Sequence, residues 1–153
     1  MNHYKDESNN LYAYESDGSQ DAFIKEGLVP ISDEDLAAMI APTTEQLLSQ
    51  LTAARKEQER QGVTINGIRY AGDPSNRQAL QEAIAFMDYA GLTEFESWKD
   101  SDNIFHADHP LIDVVDAYQA IGARRAELIA TEGEYAARIT GGTFTDLSLV
   151  TWP

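Results

Sequence analysis

The chain has 153 residues, a net charge of −15, 42% apolar residues and no cysteine. That length suits one ordinary domain or two very small ones. Acidity spread over both halves makes phosphate-rich nucleic acid and anionic membrane poor partners, and the lack of cysteine excludes disulfides and thiolate metal sites.

Met1–Gln20 is polar and acidic, unlike a secretory signal, and no apolar run approaches a membrane span, so the expectation is a protein made and folded in the cytosol. Residues 1–41 read as a small module of β-hairpin plus short helix. His3–Asn10 leads through a turn at Ser8–Asn10 into Leu11–Glu15, where Tyr12 and Tyr14 alternate with Leu11 and Ala13 and make one face aromatic. Asp17-Gly18 marks a second turn. Gly27–Ile31 is extended because Pro30 biases Val29 away from helix, and Ser32 followed by Asp33, Glu34 and Asp35 opens a helix through Ile40.

Residues 42–62 read as a helical linker. Leu47, Leu48, Leu51, Ala54 and Gln58 recur at helical spacing on an otherwise polar segment, and Gly62 closes it. One narrow apolar stripe needs a cover, which is either this chain or a second copy in a short coiled coil.

Residues 63–153 read as an α+β domain in the order β-β-α-β-β-α. Asn66-Gly67 between Val63–Ile65 and Ile68–Tyr70 specifies a two-residue turn, since a type I′ turn needs positive φ twice. Val63 then faces Tyr70, Thr64 faces Arg69 and Ile65 faces Ile68, with the apolar four on one side. Asp73-Pro74 starts a helix that runs to Ala90 and ends at Gly91, with Leu80, Ala83, Ile84 and Met87 inward. Phe86 and Tyr89 widen that face, as suits a helix lying across a small sheet. Thr93–Lys99 is a strand, Asp100–Asn103 a turn, and Ile104–His106 the return strand. The longest helix then starts near Asp108–Pro110 and reaches about Ile139, roughly 45 Å at 1.5 Å per residue, more than so small a sheet can cover. Its far half should therefore pack on the linker helix or on another subunit. Phe144, Leu147, Leu149, Val150 and Trp152 make the tail too apolar to hang free in water.

Few residues suggest chemistry. His106, Asp108 and His109 are the one cluster of metal-capable side chains, but adjacent ligands in a turn seldom converge, and capping of the long helix by Asp108 or His109 is the simpler role. Asp113 with Asp116, and Glu94 with Glu96, are carboxylate pairs better explained as solvated faces beside apolar stripes. Arg124 and Arg125 suit pairing with carboxylates across a packing surface. There is no Gly-x-Ser-x-Gly elbow, and Asn66–Gly72 lacks the Gly-Lys-Ser/Thr ending of a phosphate loop. No catalytic, cofactor-binding or metal residue is assigned, and no cofactor is expected.

Val63–Tyr70 with Asp73–Gln78, then the Trp98 strand with Asp102–Phe105 and the long helix, is similar to a small uncharacterised domain of tail-region proteins from tailed bacteriophages. The opening module, with its Tyr-rich hairpin, Asp17–Ser19 turn and Gly27–Ser32 segment, resembles the start of phage tail-fibre and tail-fibre-assembly proteins. The resemblance implies a non-enzymatic virion protein, a structural or adaptor component associated with the tail fibre and present in the host cytoplasm during assembly. Its expected partners are fibre or other tail proteins and further copies of itself. The alternatives are a tail-fibre assembly chaperone and, more remotely, a small glycan or peptidoglycan hydrolase.

Overall fold

The computed structural model describes residues 1–153 and has the expected mixed α+β architecture. Contacts divide it into two compact units, Met1–Thr43 and Thr44–Pro153.

In the first unit, strands β1 (Asn2–Lys5), β2 (Leu11–Tyr14) and β3 (Val29–Ile31) form an antiparallel sheet in the order β2-β1-β3. The hairpin was expected, but the extended Gly27–Ile31 piece becomes a third strand. Pro30 is tolerated there because β3 lies at the edge of the sheet. The Asp6 carboxylate organises the β1–β2 turn by accepting from the N–H groups of Ser8 and Asn10 and from the Tyr12 hydroxyl, while Asn9 takes φ 61°. Tyr4 meets Tyr14 edge to face at 5.7 Å. A single 3-10 turn covers Asp21–Phe23, and helix α1 (Asp33–Ile40) is capped by Ser32, whose hydroxyl accepts from the Asp35 N–H.

The second unit opens with α2 (Thr44–Gln61). Expected as a separate linker, this helix belongs instead to the second unit, because its stripe of Leu47 and Leu51 is buried within that unit's apolar core. Gly62 (φ 72°) turns the chain so tightly that a Cβ there would lie 1.8 Å from the Tyr70 carbonyl oxygen, and a Cβ on Gly72 would lie 2.2 Å from that of Glu59. Two backbone segments thus cross at a distance only glycine permits.

Strands β4 (Val63–Ile65) and β5 (Ile68–Tyr70) pair in the register expected, around Asn66 (φ 50°) and Gly67 (φ 82°). Helix α3 (Pro74–Ala90) is capped by the Asp73 carboxylate and closed by left-handed Gly91. It buries Leu80 and Met87, but Phe86 (62% exposed) and Tyr89 (92%) face outward. They do not widen the inner face, because there is no wide sheet to lie across. β6 (Glu94–Lys99) and β7 (Phe105–Pro110) form a second two-stranded hairpin rather than extending the first. The return strand runs on to Pro110, and its ladder is interrupted at Asp108, which has φ 50°. The β6–β7 turn meets the end of the first hairpin, where the Ser101 N–H donates to the Arg69 carbonyl and the Ala71 N–H to Ser101 Oγ.

Helix α4 (Leu111–Thr140) is the spine. Its first half supplies Val114, Ala117 and Ile121 to a core with Tyr70 and Leu80. Its far half packs on α2, the first of the two covers expected for it, and Ile139 joins Leu47, Leu51 and Phe144 in a second core. The chain reverses at Gly142 (φ 69°), and the tail, with a 3-10 turn at Leu147–Leu149, folds back so that Leu147, Val150 and Trp152 close this core. The Phe144 ring lies 4.8 Å from that of Tyr135, and the Arg138 guanidinium sits 4.6 Å above it.

Between the cores is a buried carboxylate, Glu59, 8% exposed. Arg55 of α2, Arg77 of α3 and Arg125 of α4 all pair with it, and Arg55 also reaches Glu132, which accepts from the Thr52 hydroxyl.

Glu59→Gln should lower unfolding free energy by about 2–4 kcal/mol, because it leaves three cations around a neutral amide. Urea denaturation would measure this, and an unchanged midpoint would contradict the assigned role. Deleting residues 143–153 should strip the second core and give a protein that is insoluble or melts well below the full chain; normal thermal unfolding of the truncated protein would refute that account.

Candidate functional site

The densest set of polar and aromatic side chains lies where the two hairpins meet the start of α4. Tyr70 ends β5 on the inward side because the Asn-Gly turn sets the register of that hairpin. In β6 and β7, Trp98 faces His106 and Phe95 faces His109 across the ladder. The Tyr70 hydroxyl and His109 Nε2 share a buried hydrogen bond of 2.7 Å. The His109 ring, 2% exposed, stacks on Trp98 at 5.5 Å and 22°. Trp98 also meets Phe95 at 4.9 Å and Tyr70 at 6.1 Å.

Asp100 organises the connecting turn. Its carboxylate accepts from His106 Nε2 at 2.9 Å and from the N–H groups of Asp102 and Ile104. These bonds, that from His106 foremost, hold its carboxyl below the usual carboxylate range despite its burial. Burial pushes the Tyr70 hydroxyl up to about 12, with Asp113 and Asp100 adding to the effect, so it stays protonated. Burial also lowers the pKa of His109, helped by His106 and opposed by Asp113. Beside this cluster is a cavity of about 130 Å³ between β6, the Asp100–Ser101 turn and the first turns of α3. Trp98 lines it, and the indole Nε1 is buried without a hydrogen-bond partner.

The sequence-level candidates fall in different places. His106 and His109 lie 6.0 Å apart by ring centroid but take separate partners, Asp100 and Tyr70. Neither His109 nor Asp108 caps α4: Pro110 occupies the N-cap position without a side-chain bond, and His109 is drawn into the core instead. No group of three or more His, Asp or Glu converges as metal ligands would. Asp113 accepts from the Asn66 side-chain amide at 3.0 Å and so ties the hairpin turn to α4, whereas Asp116, Glu94 and Glu96 are exposed. Arg125 pairs across the packing surface with Glu59, while Arg124 donates to the Gly62 carbonyl and the Gln58 side chain.

Asp100, Trp98 and the Tyr70–His109 pair were not singled out by sequence. The turn chemistry of Asp100–Asn103 was the available signal for the first, while the pairing of residues 39 positions apart needs the fold. Tyr70 and His109 spend their polar atoms on each other, and Ser101 Oγ is committed to the Ala71 N–H. What the site still offers is a small cavity bordered by an indole whose N–H donor has no partner.

Because His109 is neutral in the fold and ionises in the unfolded chain near pH 6.5, the unfolded state binds more protons just below that pH. Stability should be complete above pH 6.5 and fall as pH drops toward the lowered folded pKa, by up to about 1.4 kcal/mol per pH unit. Urea midpoints between pH 7.5 and 5 should show this slope, and His109→Gln, which keeps a hydrogen-bonding partner for Tyr70, should flatten it. The same slope in the variant would place the proton elsewhere.

No curated protein and no solved structure matches the chain. One family model does: it is described as a domain of unknown function (DUF4376) and matches residues 42–150, nearly the whole of the second compact unit. The chain belongs to that family.

Proposed function

We propose that this protein is a non-enzymatic structural or adaptor component of a bacteriophage tail, associated with the tail fibre and acting by attachment to other protein subunits. The observation that carries the attachment role is the state of the first unit. None of its 43 residues is fully buried, yet Met1, Leu11, Phe23 (73% exposed), Val29 and Ile40 (64%) present large apolar side chains to solvent. A module of this size seldom buries enough apolar surface to be stable alone, and burying a side chain such as Phe or Ile contributes about 1.5–3 kcal/mol. A protein partner that covers these side chains supplies the missing core. The placement in a phage tail rests on the resemblance of the Tyr-rich hairpin, the Gly27–Ser32 segment and the Val63–Gln78 string to tail proteins. The same exposed side chains would also serve a tail-fibre assembly chaperone, which binds the fibre and then leaves.

Mass spectrometry of purified virions should find the protein in fixed copy number. The double variant Phe23→Ser, Val29→Ser should reduce its incorporation at least tenfold while leaving the second unit's thermal transition in place. Absence from particles, together with a rise in fibre solubility on co-expression, would replace the adaptor reading with the chaperone. Absence from particles without any effect on the fibre would overturn both.

A further inference from the structure

Asn66 is the one asparagine of the chain that is followed by glycine. Asparagine is a thermolabile residue because the backbone nitrogen of the next residue can attack its side-chain amide carbon. Glycine is the most permissive neighbour, since it has no Cβ to shield that nitrogen. Both residues are exposed at the tip of the β4–β5 hairpin, and a Cβ at Gly67 would meet nothing within 4 Å. A two-residue turn is closed by the pair that flanks it, here Ile65 with Ile68, so the Gly67 N–H lies outside the ladder. The attacking nitrogen is therefore open to water and base.

The Asn66 side chain is not free. Its amide donates to Asp113 Oδ1 at 3.0 Å, and this bond fastens the hairpin tip to the first turn of α4. Asn10 and Asn76 also donate to carboxylates, those of Asp6 and Asp73, but they precede Leu11 and Arg77. Only at Asn66 does one side chain combine a reactive sequence with a tertiary hydrogen bond that joins two elements.

We propose that Asn66 is a site of spontaneous deamidation, that its hydrogen bond to Asp113 restrains the reaction, and that the product unties the hairpin from α4. The Gly67 nitrogen forms a bond to Asn66 Cγ, the Cγ–Nδ2 bond breaks, and the proton of the Gly67 N–H leaves with Nδ2 as ammonia. Water then opens the five-membered imide at either carbonyl, giving aspartate or isoaspartate, with no change of oxidation state. Ring closure needs the side chain to rotate onto the Gly67 nitrogen, and that rotation gives up the bond to Asp113.

Both products replace an amide donor with a carboxylate facing Asp113, so an attraction becomes a like-charge repulsion. Isoaspartate also lengthens the backbone by one atom inside a turn that sets the register of Val63 with Tyr70. Tyr70 is the residue that bonds His109 in the buried cluster, so the change at an exposed tip reaches the core. This stands apart from the phage-tail reading, since it concerns the second unit alone.

Peptide mapping by mass spectrometry tests it on the full-length protein held in mildly alkaline buffer at physiological temperature. Asn66 should gain acid with time while Asn10, Asn76 and Asn103 stay amides. Asp113→Ala should speed the reaction at least threefold, whereas Asp113→Asn, which keeps an acceptor oxygen, should stay within twofold of the parent. Glu59→Gln, which destabilises the same unit away from the turn, should have less effect than Asp113→Ala. In urea-unfolded protein the parent and Asp113→Ala should react at one common, faster rate. Asn66→Asp should lower the urea midpoint of the folded protein. No acid at Asn66, equal folded-state rates with and without Asp113, an equal rise in Glu59→Gln, or an unchanged midpoint for Asn66→Asp would each overturn the inference.

Discussion

The shared carboxylate of Glu59 is the constraint on which the second unit turns. A buried carboxylate is costly to desolvate and repays that cost only when its partners are held in place. Here the partners come from three helices: Arg55 from α2, Arg77 from the first turn of α3 and Arg125 from the middle of α4. The same point carries a backbone approach that only glycine permits, Gly72 against the Glu59 carbonyl and Gly62 against that of Tyr70. Sterics therefore bring the helices to one place, and electrostatics reward only the arrangement in which all three guanidiniums reach one acid.

The division of labour along α4 follows from this junction. Thirty residues are too many for one small core, so the helix serves two, and the charged cluster lies between them. On one side the two hairpins and α3 close over Val114, Ala117 and Ile121. On the other, α2 and the returning tail close over Ile139. The apolar tail is thus a structural strap. Its Phe144 is held between Tyr135 and Arg138, which gives a positive charge near the helix C-terminus both a dipole and aromatic faces to interact with.

The two units differ in how far they satisfy themselves. The second buries its polar cluster of Tyr70, His109 and Asp100 with internal hydrogen bonds, whereas the first has a satisfied turn at Asp6 and a capped helix but no buried side chain. Local hydrogen bonding can order a small module, but it does not replace a core, because the net gain per bond is only about 0.5–1.5 kcal/mol. The attachment role proposed above fits that imbalance: what the first unit lacks is apolar cover, which a protein surface would provide.

Local signals alone determined much of this fold. Asn66-Gly67 set a hairpin register that the structure reproduces pair for pair, Asp73-Pro74 and Gly91 bounded α3, and Ser32 capped α1, because turns and caps depend on residues a few positions apart. The helical period of α2 and α4 was equally legible, as was the need of the apolar tail for cover. Tertiary structure decided the rest. The sequence stripe on α2 was compatible with a second copy or with its own chain, and only the crossing at Gly62 and Gly72 directs it onto α4. His109 read as a cap or a ligand, and its burial against Tyr70 depends on two hairpins meeting. The carboxylate that Arg125 meets had no sequence signature, since Glu59, Arg55 and Arg77 look like solvated positions until three helices place them side by side. Spacing along a chain encodes which face a residue occupies, but which faces meet is settled by packing over distances the local pattern does not reach.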